Sequence, residues 1–127
     1  MLVTLGYTNF DIGIEFINNK TIAYYNATYR HKDGPTDILS FPFYPDLKAG
    51  DSITAKNPDE ANLGDLMISL EYIHTSNKWK DFDPDEVLTI LLVHGICHLL
   101  GYDHQTETEY KLMQAKEEQL LASLHGI

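Results

Sequence analysis

The stretch Leu91-Leu92-Val93-His94-Gly95-Ile96-Cys97-His98-Leu99-Leu100-Gly101-Tyr102-Asp103-His104 decides how this chain is read. His94 and His98 are four residues apart, so on a helix their rings leave the same face one turn apart. Gly101 suits a helix stop, because a left-handed residue there costs glycine nothing. A chain that turns back after Gly101 brings His104 toward the same point. Three neutral imidazoles at one point suit a zinc ion with one position left open, which is a catalytic arrangement. Imidazole also suits nickel or copper, so the donor set leaves the metal's identity open.

The helix that carries the pair is well marked. Asp83-Pro84-Asp85-Glu86 supplies a capping Asp, a Pro at the first helical position and a Glu at the third. From Pro84 to Leu100 the residues are apolar nearly all round, which predicts a buried central helix. Two histidines inside such a helix need partners for their polar atoms. Cys97 lies within a turn of both and reads as a small core residue.

Working outward, Ile12 to Asn18 alternates as a strand and Asn18-Asn19-Lys20 reads as a turn. Thr21 is positioned to cap a helix reaching about Tyr29, with Tyr24, Tyr25 and Tyr29 mostly packing inward. A loop from His31 to Pro35 leads to a strand from Ile38 to Phe43. Lys48 to Asn62 is polar and reads as a long surface loop. Leu63 to Ser69 predicts a third strand, and Ser69 caps a helix to about Trp79. Thr106-Glu107-Thr108-Glu109 caps a last helix ending near Leu124. His74 and His125 read as surface residues. This order predicts an α+β domain with a small mixed sheet packed on the central helix, zincin-like, and one domain over residues 1–127.

The 127 residues carry a formal net charge of −10, unevenly placed. Residues 1–56 hold five basic and six acidic residues, whereas 57–127 hold four and thirteen. A general nucleic-acid binder, and DNA as a partner, are disfavoured, and an anionic substrate is better gripped by the first half. No apolar run is long enough for a membrane span. Met1 to Leu5 lacks a basic segment and a cleavage pattern, and Cys97 is the single cysteine, so the expected location is the cytoplasm.

The histidine spacing is similar to that of the metzincin proteases. Their general-base Glu follows the first histidine, and here that position is Gly95, which cannot take a proton. The segment Leu91 to His104 instead resembles the signature of the YbeY family, bacterial metal-dependent endoribonucleases that mature and check ribosomal RNA. Asn26-x-x-Tyr29-Arg30-x-x-Asp33, Thr36 to Pro42 (TDILSFP), Leu63 to Leu66 (LGDL), and Met113 with Glu117 and Glu118 agree in order. The segment before the first strand is short for that family, so an early helix is expected to be missing or replaced.

The resemblance implies zinc-dependent cleavage of single-stranded RNA, small-subunit ribosomal RNA first among the substrates, in ribosomal RNA maturation and ribosome quality control. It also implies ribosomal or assembly-factor partners. His94, His98 and His104 are then the metal ligands and Arg30 the functional arginine. Chemistry agrees, since a guanidinium can fork a phosphate and offset charge in the transition state. His31 and Lys32 extend a small basic patch. Asp103 is expected to stabilise the turn after Gly101 or orient a ligand imidazole, with a base toward the attacking water as the alternative. Asp37 and Ser40 are expected at the cleft wall. The rivals are a metal-dependent peptidase and a ribosome-associated binding protein with a structural metal.

Overall fold

The computed structural model describes Tyr7 and residues 9–125, the side chain of His125 excepted. The readings of Met1 to Leu5 and of the His125 side chain lie outside the described residues. In chain order the elements are β1 (Asp11–Phe16), α1 (Asn19–Arg30), β2 (Ile38–Pro42) and a short 3-10 turn (Pro58–Glu60). Then come β3 (Asn62–Ile68), α2 (Leu70–Thr75), α3 (Pro84–Leu99) and α4 (Glu107–His125). The fold is α+β, as the order of patterns predicts.

The sheet is mixed and runs β1-β3-β2. β1 lies parallel to β3, with Ile14 opposite Leu66, and β2 antiparallel, with Ser40 opposite Leu66 from the other side. Alternation along β3 sends Leu66 and Ile68 into the core while Asp65 is exposed on the other face. α3 lies across the inner face of the sheet, where Val87, Leu91, Ile96 and Leu99 join Ile38, Leu66 and Ile68 in one cluster. On its other side Val93 and Cys97 meet Met113 and Leu120 of α4. α3 is therefore sandwiched between sheet and helix, which is why its sequence is apolar all round.

Gly95 is the contact that sets this spacing. A β-carbon there would stand 2.8 Å from the tips of both Ile38 and Leu66. Among the described residues, no helix is long and apolar enough to cross a membrane.

Several local expectations need correcting. Asn18, not Thr21, caps α1: its side chain accepts the Thr21 amide at 2.9 Å, so the helix starts at Asn19 rather than after a turn. α2 stops at Thr75 because Ser76 turns extended, well short of Trp79. The stretch between β2 and β3 includes the turn at Pro58–Glu60, capped by Asn57. Tyr24 and Tyr29 are 65% and 60% exposed rather than packed inward, because α1 buries only Ile22 and Asn26.

Candidate metal centre and cleft

Asp83 accepts the Asp85 amide at 3.1 Å and Pro84 opens α3, so the capping signal performs as read. The helix runs on to put His94 and His98 on one face, their ring centroids 4.6 Å apart. Leu100 ends it, and Gly101 follows at φ 92°, in the left-handed region. A side chain at Gly101 would also collide with the Leu47 carbonyl, 2.3 Å from a β-carbon. The turn and the loop after β2 thus meet backbone to backbone. Past this turn His104 swings back, its ring 5.2 Å from that of His98 and 5.8 Å from that of His94.

The remaining ring nitrogens explain the aim of the pair. His94 Nδ1 is 3.1 Å from Glu117 Oε2 on α4, and His98 Nδ1 is 3.0 Å from the Tyr102 carbonyl. With both Nδ1 atoms engaged, the Nε2 atoms are turned toward each other at 3.1 Å. Two nitrogens about 2.1 Å from a tetrahedral ion stand about 3.4 Å apart, so this pair fits one. One nitrogen from each of the three histidines lies within 4.8 Å of the others, and the group could hold a metal ion. Among the described residues, no fourth Cys, His, Asp or Glu side chain joins them.

Electrostatics suit that task. Burial first, then the neighbouring His94 and His104, pushes the His98 pKa down to about 4, so its ring is neutral near pH 7. Burial, reinforced by Glu117, pushes the Cys97 thiol up to about 12. Cys97 therefore stays a protonated core thiol beside the cage, as its apolar setting predicts.

A cleft of about 910 Å³ opens over the histidines. Its walls are the free edge of β2 and the face of α3 from Ile90 to His98. Arg30, at the last residue of α1, lines this cleft with Lys32, although it lies 64 positions before His94. His31 adopts the left-handed conformation that ends α1, at φ 55°, and does not line the cleft. Asp103 lines it too; its Oδ1 accepts the His104 amide at 2.8 Å, which holds the turn carrying the third ring. Ser40 is half-buried on the β2 wall.

Asp37 braces that wall. It is buried, and its two oxygens accept the Ile38 amide, the Trp79 indole N–H and the Lys78 ammonium at 2.8, 3.0 and 3.3 Å. His74 is exposed, as read.

Two contributors escaped the sequence reading. Glu117 falls in a family block, but nothing local connects it to a histidine 23 positions earlier on another helix. The Tyr102 carbonyl is backbone and leaves no side-chain signal.

Known proteins resemble this chain in sequence and in fold. A family model described as Endoribonuclease YbeY matches residues 3–125. The Homo sapiens Endoribonuclease YbeY is 45% identical over 120 residues, 94% of this chain and 71% of that protein. The Carboxydothermus hydrogenoformans Endoribonuclease YbeY is 38% identical over 113 residues, 89% of this chain and 71% of that protein. A solution structure of a Thermotoga maritima protein shares the fold at a TM-score of 0.53 and 17% identity, covering 98% of this chain and 77% of that one. With the histidine turn, the cleft and this match over nearly its whole length, the chain belongs to the YbeY endoribonuclease family.

Proposed function

We propose that this chain is a metal-dependent endoribonuclease that cleaves single-stranded RNA in ribosomal RNA maturation and ribosome quality control. Its small-subunit ribosomal RNA substrate, its ribosomal or assembly-factor partners, a cytoplasmic location and one functional domain over residues 1–127 form part of the same reading. The observation that carries it is the three-histidine group opening on a cleft that also holds Arg30.

In this reading His94, His98 and His104 hold one divalent ion, zinc first and nickel among the alternatives. When bound, the ion supplies Lewis acidity and an activated water. The chain's own residues do the rest. Arg30 forks the scissile phosphate and offsets the charge that grows on it during in-line attack. Asp103 takes the proton from the attacking water. Its Oδ1 holds the His104 amide, and its second oxygen has no protein partner among the described residues. Glu117 and the Tyr102 carbonyl keep two imidazoles aimed.

The peptidase reading needs a carboxylate after the first histidine. Gly95 stands there, 2.8 Å from the Ile38 and Leu66 tips by its absent β-carbon, so a glutamate would displace the core. The structural-metal reading needs a fourth protein ligand. The test is cleavage of a labelled single-stranded RNA by purified protein. Activity should vanish with chelator, return with zinc and be absent in His98→Ala. Cleavage that survives both treatments would contradict the reading.

A further inference from the structure

We propose that Lys78 is a further RNA-binding residue, one that takes a backbone phosphate where the cleft begins beside β2; this rests on the RNA-cleavage reading above. Nine Lys and Arg residues are present in a chain with net charge −10. Three of them, Arg30, Lys32 and Lys78, line the histidine cleft. Lys78 alone comes from the strongly acidic second half. It sits on the turn between α2 and α3.

The neighbours of Lys78 fix where it acts. Its ammonium is 3.3 Å from Asp37 Oδ2 and 4.9 Å from the centre of the Trp79 ring. Asp37 immediately precedes β2, whereas Gly101, at the histidine turn, approaches Leu47 beyond the end of β2. Lys78 therefore marks one end of the β2 wall and the histidine turn the other. An RNA strand lying along that edge and reaching the histidines would pass the ammonium.

Lys78 is also available. Its side chain is 59% exposed, and an ammonium has three N–H donors, of which Asp37 takes one. Asp37 does not depend on it, since the Trp79 indole and the Ile38 amide bond the same carboxylate at 3.0 and 2.8 Å. The other carboxylates on the cleft, Asp103 and Glu109, belong to the segment around His104 and the start of α4, away from Asp37 in the chain. The cation–π contact with Trp79 holds the lysine stem upright and limits the entropy lost when a phosphate binds.

The test measures binding of a labelled single-stranded RNA to metal-loaded protein across salt concentrations, with kcat and KM on the same RNA. Each phosphate contact to a single strand contributes about 0.7 to the slope of log affinity against log salt. Lys78→Gln should lower the slope by about that amount and raise KM, with kcat, metal content and melting temperature near wild type. The advantage of wild type over this variant should be about fivefold larger at 0.1 M than at 1 M salt. Lys78→Arg should keep the wild-type slope. Lys111→Gln, which removes a lysine paired with Glu107 outside the cleft, should keep it too. If Lys78→Gln keeps the wild-type slope and KM, or if Lys111→Gln lowers the slope equally, the assignment to Lys78 falls while RNA cleavage stands. If wild-type protein binds no RNA, the functional reading falls and this one with it.

Discussion

The histidine end of the cleft and its cationic rim are built on different principles. The rings of His94 and His98 stand on a helix enclosed between sheet and α4, and each has its second nitrogen tied by Glu117 or the Tyr102 carbonyl. The cations Arg30, Lys32 and Lys78 stand at a helix end and on turns, exposed to solvent. A metal cage gains from rigidity, because ligands already in place lose little freedom when the ion binds. A grip on RNA gains from cations on mobile stems that can follow the strand. Damage should therefore separate cleanly: changes under the cage cost stability and metal, and changes at the rim cost turnover or affinity.

The largest effect is expected where the cage meets the sheet. Gly95→Glu would drive a carboxylate into Ile38 and Leu66, 2.8 Å from its β-carbon. Overpacking combined with an unpaired buried charge should cost about 3–5 kcal/mol of stability. Denaturant melts of the metal-free protein read this directly, and a variant as stable as wild type would show that Gly95 does not set the helix–sheet spacing. At the rim, Arg30→Ala should leave melting and metal content unchanged yet cut RNA cleavage by a few hundredfold, the roughly 2.7–4 kcal/mol of a lost charge-stabilising group. Arg30→Lys should recover only part, since it keeps the charge without the fork. Loss of metal in Arg30→Ala would erase the division between cage and rim.

A smaller effect belongs to Glu117. Removing its carboxylate by Glu117→Ala frees His94 Nδ1 and should weaken metal affinity about 10- to 100-fold, measured by competition with a chelating dye. Glu117→Gln, which can still accept from the ring, should lie between. Equal affinity in all three proteins would mean that packing alone orients His94.

The smallest effect is a pH dependence of the metal-free protein. His98 has a pKa near 4 when folded and an ordinary value of 6.5 when unfolded. The unfolded state thus binds the extra proton first, and the stability tied to a neutral His98 is present above 6.5. It is lost progressively as pH falls toward 4. His98→Gln should flatten the melting curve of the metal-free protein across that window, and an unchanged slope would show that burial of His98 is not what the protein loses in acid.

The sequence was most readable where one element carried its own signal. The Asp83-Pro84 cap, the apolar run to Leu100 and the Gly101 stop are local, and they place His94, His98 and the turn to His104 before any tertiary information is needed. The family blocks point to Arg30, but its place on the histidine cleft is set by the tertiary fold, which no local pattern encodes. The Thr21 cap failed because two competent polar residues stood within three positions, and Asn18 reached the free amide. The tyrosines of α1 failed for a tertiary reason: helical spacing cannot say how much of a helix the sheet will cover. Glu117 stayed unassigned because a hydrogen bond between helices 23 residues apart has no spacing rule. Asp37 reads in sequence as a polar cleft residue, and only the fold brings Lys78 and Trp79 to it.

The central claim is that three histidines hold one ion and leave a position open above a cleft made for RNA. X-ray absorption of the zinc-loaded protein, taken with total metal analysis, tests it most directly. The account predicts one ion per chain, three imidazole nitrogens at about 2.0–2.1 Å and one further light-atom ligand from solvent. That solvent ligand should be displaced by an added anion, and the ion should be lost in His98→Ala. A sulfur in the coordination sphere, a fourth protein ligand that no anion displaces, or full occupancy in His98→Ala would contradict it.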